Sequence, residues 1–88
     1  MKKIRLNRIY SYYFASARDM VDELRRVKKL YCDGEMSYKR AWKRMDYLVR
    51  QIQWRCEVCF GVTSIPREQT TAYCVLKNAH EVVAWMAE

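Results

Sequence analysis

Cys56-Glu57-Val58-Cys59 places two thiols at the C-x-x-C spacing used by zinc sites and dithiol redox centres, with Cys74 and His80 downstream as further candidate ligands. A tetrahedral site requires all four to converge. On helices they do not: both cysteines of the pair fall on or near a core stripe, and Cys74 and His80, six positions apart, lie roughly 120° apart around theirs. A dithiol redox centre sets its pair at the start of a helix after a strand, where the thiolate is stabilised. Here the pair lies near a helix end. The cysteines therefore read as small hydrophobes, and neither a metal nor a cofactor is expected.

Other catalytic constellations are equally short of parts. His80 is the only histidine, at the edge of an apolar stripe near Tyr73, and reads as a boundary residue; one histidine alone gives no Ser/His/Asp or Cys/His arrangement. Two glycines are too few for a phosphate-cradling loop. Asp22 sits at helical spacing from Arg18 and Arg26, the pattern of salt bridges on a wet face. The chain is expected to be non-catalytic.

Binding has better support, and it rests on the stretch from Ser37 to Gly61. At about 100° per residue, Tyr38, Ala41, Met45, Leu48, Ile52, Cys56 and Cys59 form one apolar stripe, with Arg40, Lys43, Tyr47, Arg50, Trp54 and Val58 opposite. The first side is a core. Lys39, Arg40, Lys43, Arg44 and Arg50 offer cations to an anionic surface, with the rings of Tyr47 and Trp54 between them. Proteins that track nucleic-acid backbones use that combination, and so do protein interfaces anchored by Trp, Tyr and Arg. An acidic protein, or a nucleoprotein complex that handles nucleic acid, ranks first as partner. Direct DNA or RNA binding ranks second, and a homodimeric structural or scaffold role third. A second surface, Cys74, Asn78, Glu81 and Trp85, suits a homodimer contact or another partner. Small proteins that only bind are often regulators or inhibitors, including those of phage and mobile elements, which is an expectation by class.

Charge placement agrees with a binding role. The formal charge is +7. Residues 1–55 carry fifteen Lys or Arg and six Asp or Glu, whereas residues 56–88 carry two and four, so the basicity belongs to the first two segments. Such a field favours a polyanionic or acidic partner. Hydrophobic residues make up 51% of the chain and charged residues 31%, which argues for a packed globule. The opening MKKIRLNRIYSYYFASA is interrupted by Arg5, Arg8 and its tyrosines, so it fails as a secretory leader. No apolar run approaches the roughly 18 residues of a membrane span. A cytoplasmic setting with free thiols is the expectation, and no membrane partner is anticipated.

Eighty-eight residues supply one core and one domain. Two glycines and one proline are too few for the turns of a sandwich or barrel, so the chain is expected to be all-α, a three-helix up-down-up antiparallel bundle with helices over 7–32, 37–60 and 65–87. Residues 1–6 form a basic lead-in expected to fray, with a short strand through Ile4 to Tyr12 as the lesser alternative. Asn7 is the expected cap of the first helix. Its apolar side is Tyr10, Tyr13, Ala17, Met20, Leu24, Val27 and Tyr31, and Tyr12 and Phe14 project to the flanks. Asp33-Gly34 marks a turn and Ser37 caps the second helix. Gly61 closes it. Ser64, Pro66 and Glu68 carry the start signature of a third helix, whose stripe is Ala72, Val75, Leu76, Ala79, Val82, Val83 and Met86.

Overall fold

Helices that each carry one apolar stripe and are joined by short turns bury those stripes by lying side by side. The computed structural model, which describes residues 2–87 and the side chains of residues 8–86, has that arrangement. It is an all-α, three-helix up-down-up bundle of α1 (Lys2–Cys32), α2 (Tyr38–Gly61) and α3 (Thr71–Ala87), each packed on the other two. Its extents are 50 × 19 × 15 Å. The long axis is set by α1, whose 31 residues span about 46 Å.

One core runs the length of the bundle. Ala17, Val21, Leu24 and Val27 of α1 meet Ala41, Met45, Leu48, Ile52, Cys56 and Cys59 of α2, and Ala72, Val75, Leu76, Ala79 and Met86 of α3. Alanine and cysteine at so many of these positions let the helix axes approach closely. Tyr10, Tyr13, Phe14, Met20 and Tyr31 close the α1 side as half-buried residues. Tyr38 departs from the expected stripe: in the first turn of α2 it is exposed, its ring meeting Tyr31 of α1 edge-on at 5.8 Å at the rim of the core.

The turn between α1 and α2 follows its sequence signals. Gly34 has φ +77°, the left-handed conformation that favours glycine. The amide of Glu35 donates to the carbonyl of Leu30 at 2.9 Å and that of Gly34 to Tyr31 at 3.1 Å, the paired bonds of a Schellman ending. Ser37 caps α2, its hydroxyl accepting from the Arg40 amide at 3.3 Å.

Two boundaries differ from expectation. α1 begins at Lys2, so Asn7 lies inside it and is not its cap, and helix stands where the strand alternative was placed. α3 begins at Thr71 instead of residue 65, and neither Ser64 nor Pro66 starts it. Pro66, with ψ 138°, leads instead into a 3₁₀ turn at Arg67–Gln69. The cap is Thr70, buried, whose hydroxyl donates to the Arg67 carbonyl at 2.7 Å and accepts from the Tyr73 amide at 3.1 Å. The Ala72 amide is taken by the hydroxyl of Tyr10 at 3.0 Å, and the same hydroxyl shares a 2.7 Å hydrogen bond with Thr71 Oγ1. A side chain of α1 thus satisfies the first turn of α3.

Removing either cap strands an amide that water reaches poorly. Thr70→Ala and Tyr10→Phe are each expected to cost about 1–2 kcal/mol, and Thr70→Ser much less. Thermal denaturation checks this, with a fall in Tm of about 4–8 °C per kcal/mol for a domain of this size.

Candidate binding face on the second helix

The seven residues picked out on α2 all reach solvent, but they do not form one patch. Tyr47 and Trp54 are 51% and 52% exposed. Arg40, Lys43, Arg44 and Tyr47 line a groove of about 530 Å³ between α1 and α2, together with Glu23, Arg26, Val27, Leu30 and Met36. Lys39, Arg50 and Trp54 are outside it. The face is therefore a groove wall continued by an outward ridge.

The cations differ in how free they are. Arg50 is held by Asp46 at 3.2 Å, one helical turn earlier, which places a carboxylate beside its charge. Lys39, Arg40, Lys43 and Arg44 make no ion pair among the described residues. Arg44 lies 5.6 Å from the centre of the Tyr47 ring, a contact that orders a guanidinium without neutralising it.

Trp54 sits in an aromatic cluster with α1. Its ring is edge-on to Tyr13 at 5.5 Å, and Tyr13 is edge-on to Tyr12 at 5.1 Å. Tyr12, expected at a flank of the α1 stripe, is 70% exposed. Phe14, also expected at a flank, packs on the core.

Arg55 belongs to this cluster and was not singled out from the sequence. Its Nε donates to Ser16 Oγ at 2.9 Å, and its Nη1 donates to the carbonyl and side-chain oxygens of Gln51 at 3.1 and 2.9 Å. The guanidinium lies 5.3 Å from the Trp54 ring centre. It is a positive charge fixed by neutral acceptors at the α1–α2 seam. The contact with Ser16 joins residues 39 apart, so no local pattern could have revealed it.

On the surface proposed on α3, Cys74, Asn78, Glu81 and Trp85 are all exposed, and Trp85 in addition contacts the end of α1, with the Lys28 ammonium 4.3 Å from its ring centre and Tyr31 at 6.4 Å. Tyr31 in turn meets Tyr38 at 5.8 Å.

The C-x-x-C thiols are enclosed. Cys56 donates to the Ala72 carbonyl at 3.4 Å and Cys59 to the Tyr10 carbonyl at 3.5 Å, tying α2 to both neighbours. Cys74 and His80 stand exposed on α3, away from them. Among the described residues, no three Cys, His, Asp or Glu side chains gather as a metal would require. Burial, with the neighbouring Cys59 as a lesser cause, pushes the Cys56 thiol up to about 12, and burial raises Cys59 as well.

No protein-family model, curated protein or solved structure matches this chain. No helix among the described residues is long and apolar enough to cross a membrane.

Thiol chemistry tests this placement. Cys32 and Cys74 are expected to react promptly with an alkylating reagent, and Cys56 and Cys59 only on unfolding, a ratio that mass spectrometry reads directly. The unfolded Cys56 thiol ionises near 9.0, while the folded one keeps its proton to about 12. Its contribution to stability is therefore full below the lower value and is lost as pH rises toward the upper, by at most about 1.4 kcal/mol per pH unit. Urea denaturation at two pH values inside that window should show a steeper loss for the natural chain than for Cys56→Ala.

Proposed function

We propose that this protein is a non-catalytic binding protein that docks on an anionic macromolecular surface, foremost an acidic protein or a nucleoprotein complex that handles nucleic acid. The observation that carries the reading is the state of the α2 cations. Lys39, Arg40, Lys43 and Arg44 stand on one helix without an acidic partner among the described residues, with Tyr47 next to Arg44 and Trp54 further along the same helix, each ring about half open to solvent. A face built only for solubility has no use for two large aromatics. Unpaired cations beside exposed rings are instead what interface anchors are made of. Acting by occupancy makes the protein a regulator or an inhibitor, of the kind carried by phage and mobile elements. Four free thiols suit the cytoplasm.

Direct binding of DNA or RNA is the second reading, favoured by the four rings Tyr12, Tyr13, Tyr47 and Trp54 along the α1–α2 seam with Arg44 and Arg55 against two of them. The third, a homodimer through α3, draws only on Trp85 and the exposed side chains beside it.

Charge reversal locates the surface. Lys43→Glu with Arg44→Glu should weaken low-salt binding of polyglutamate and of oligonucleotides by at least about tenfold. Lys77→Glu on α3 should leave it nearly unchanged. A logarithmic loss from Lys77→Glu about half that of the double variant, in proportion to the charge removed, would mean that net charge alone attracts polyanions, and the assignment to α2 would fail. Trp54→Ala should reduce capture of the partner that co-purifies with the chain, and nuclease treatment beforehand tells whether nucleic acid bridges the two.

A further inference from the structure

We infer that the trough between α1 and α2 takes an acidic amphipathic helix of a partner protein, an inference that rests on the anionic-docking reading and names its occupant. The groove lined by Arg40, Lys43 and Arg44 is not isolated. A second depression of about 570 Å³, lined by Tyr12, Ala15, Ser16, Asp19, Met20 and Leu48, shares Glu23, Arg44 and Tyr47 with it. The two adjoin at those three side chains and follow one another along α1 from Tyr12 to Leu30. That span is about 27 Å, the length of a helix of about 18 residues.

Its lining is asymmetric. Leu30 and Met36 give an apolar floor at one end, over the buried Val27, and Ala15 and Met20 give one at the other, over the buried Leu48, with the Tyr47 ring common to both. The α2 wall carries Arg40, Lys43 and Arg44. The α1 wall carries Asp19, Glu23 and Arg26; the last two pair at 3.2 Å, so Asp19 is the charge left over on that side. An occupant that fits must bring an apolar ridge to the floor, carboxylates toward α2 only, and neutral or basic groups toward α1. One amphipathic helix with acids on a single flank meets all three conditions. A nucleic-acid strand matches the cations, but it leaves the floor unfilled and sets phosphates against Asp19.

Fluorescence anisotropy with labelled helical peptides of about 18 residues tests the assignment. One set carries Glu along a single flank with Leu, Phe or Met along the ridge. A second keeps the Glu and replaces the ridge with Gln. Oligothymidylate and a duplex of similar charge complete the panel. The ridged peptides should bind at least about tenfold more tightly than the ridgeless ones; Met36→Asp should remove that advantage, and Lys43→Glu should weaken both peptide sets by a similar factor, placing them on the α2 wall. Met36→Asp is checked by circular dichroism for an unchanged fold, and Lys43→Glu lies on the exposed surface and keeps the test valid if the first variant does not fold. Amide shifts on peptide addition should map to Leu30, Met36, Arg44 and Tyr47. Equal binding of the two peptide sets, or binding of oligonucleotides alone, would overturn the helix assignment and leave anionic docking standing. Failure of the whole panel to bind at low salt would overturn both.

Discussion

A helix in a three-helix bundle has two neighbours and one side left over, and the sequence of α2 is fitted to that constraint. Ala41, Met45, Leu48, Ile52, Cys56 and Cys59 must serve both α1 and α3 from a single stripe. Six of the buried core positions are small, Ala41, Cys56 and Cys59 on α2, Ala17 on α1 and Ala72 and Ala79 on α3, and small side chains in a core let helix axes lie close. Close axes leave no inner room for Lys, Arg or the larger rings of the same helix. Those side chains are driven to the outside or to the α1 seam, where Arg55, Tyr47 and Arg44 lie. The candidate site is thus a direct consequence of how the core closes.

Polar ties fix the two ends of the bundle in different ways. At the end where α1 starts, hydrogen bonds do the joining: the Tyr10 hydroxyl with the Ala72 amide and the Thr71 hydroxyl, the Cys59 thiol on the Tyr10 carbonyl, and the Cys56 thiol on the Ala72 carbonyl. A buried backbone group left without a partner costs about 1–3 kcal/mol, so these ties set the axial register of α1 against α3. At the other end the contacts are aromatic, with Tyr31 between Tyr38 and Trp85 and the Lys28 ammonium over the indole. Edge-to-face rings tolerate small displacements that directional hydrogen bonds do not. The first end is the more precisely specified.

What could be read in advance divides along the same line. The α2 stripe, the turn at Gly34 and the Ser37 cap were legible because local periodicity and turn chemistry determine them. The start of α3 was not. Ser64-Ile65-Pro66 carries a helix-start signature, yet Thr70 and the hydroxyl of Tyr10, 61 residues from Thr71, fix the true beginning. The division of the basic face is a matter of tertiary placement as well: the wheel groups Arg40 with Arg50, and only the position of α1 decides that the former lines a groove. Arg50 held by Asp46 is the opposite case. That pair lies at an ordinary helical spacing and was visible without a fold. Arg55 lay on neither chosen stripe, because its role depends on Ser16 across the seam.

Two strongly basic helices packed along most of their length should repel each other, so the way this chain holds its cations matters. Acidic partners account for some: Asp22 with Arg25, Glu23 with Arg26, and Asp46 with Arg50, all on exposed or half-exposed surface where such pairs are worth roughly 0–1 kcal/mol. Rings account for others. Arg18 lies over Phe14, Lys28 over Trp85, Arg44 over Tyr47, Arg55 over Trp54 and Arg67 over Phe60. Among the described residues, aromatic rings thus meet five of the cations and carboxylates three. The two choices have different electrostatic consequences. A carboxylate orders a cation and cancels its charge; an aromatic face orders it and leaves the charge in place. By seating Arg44 and Arg55 on rings, the α1–α2 seam gains fixed guanidinium geometry and keeps the field that draws an anionic partner toward it.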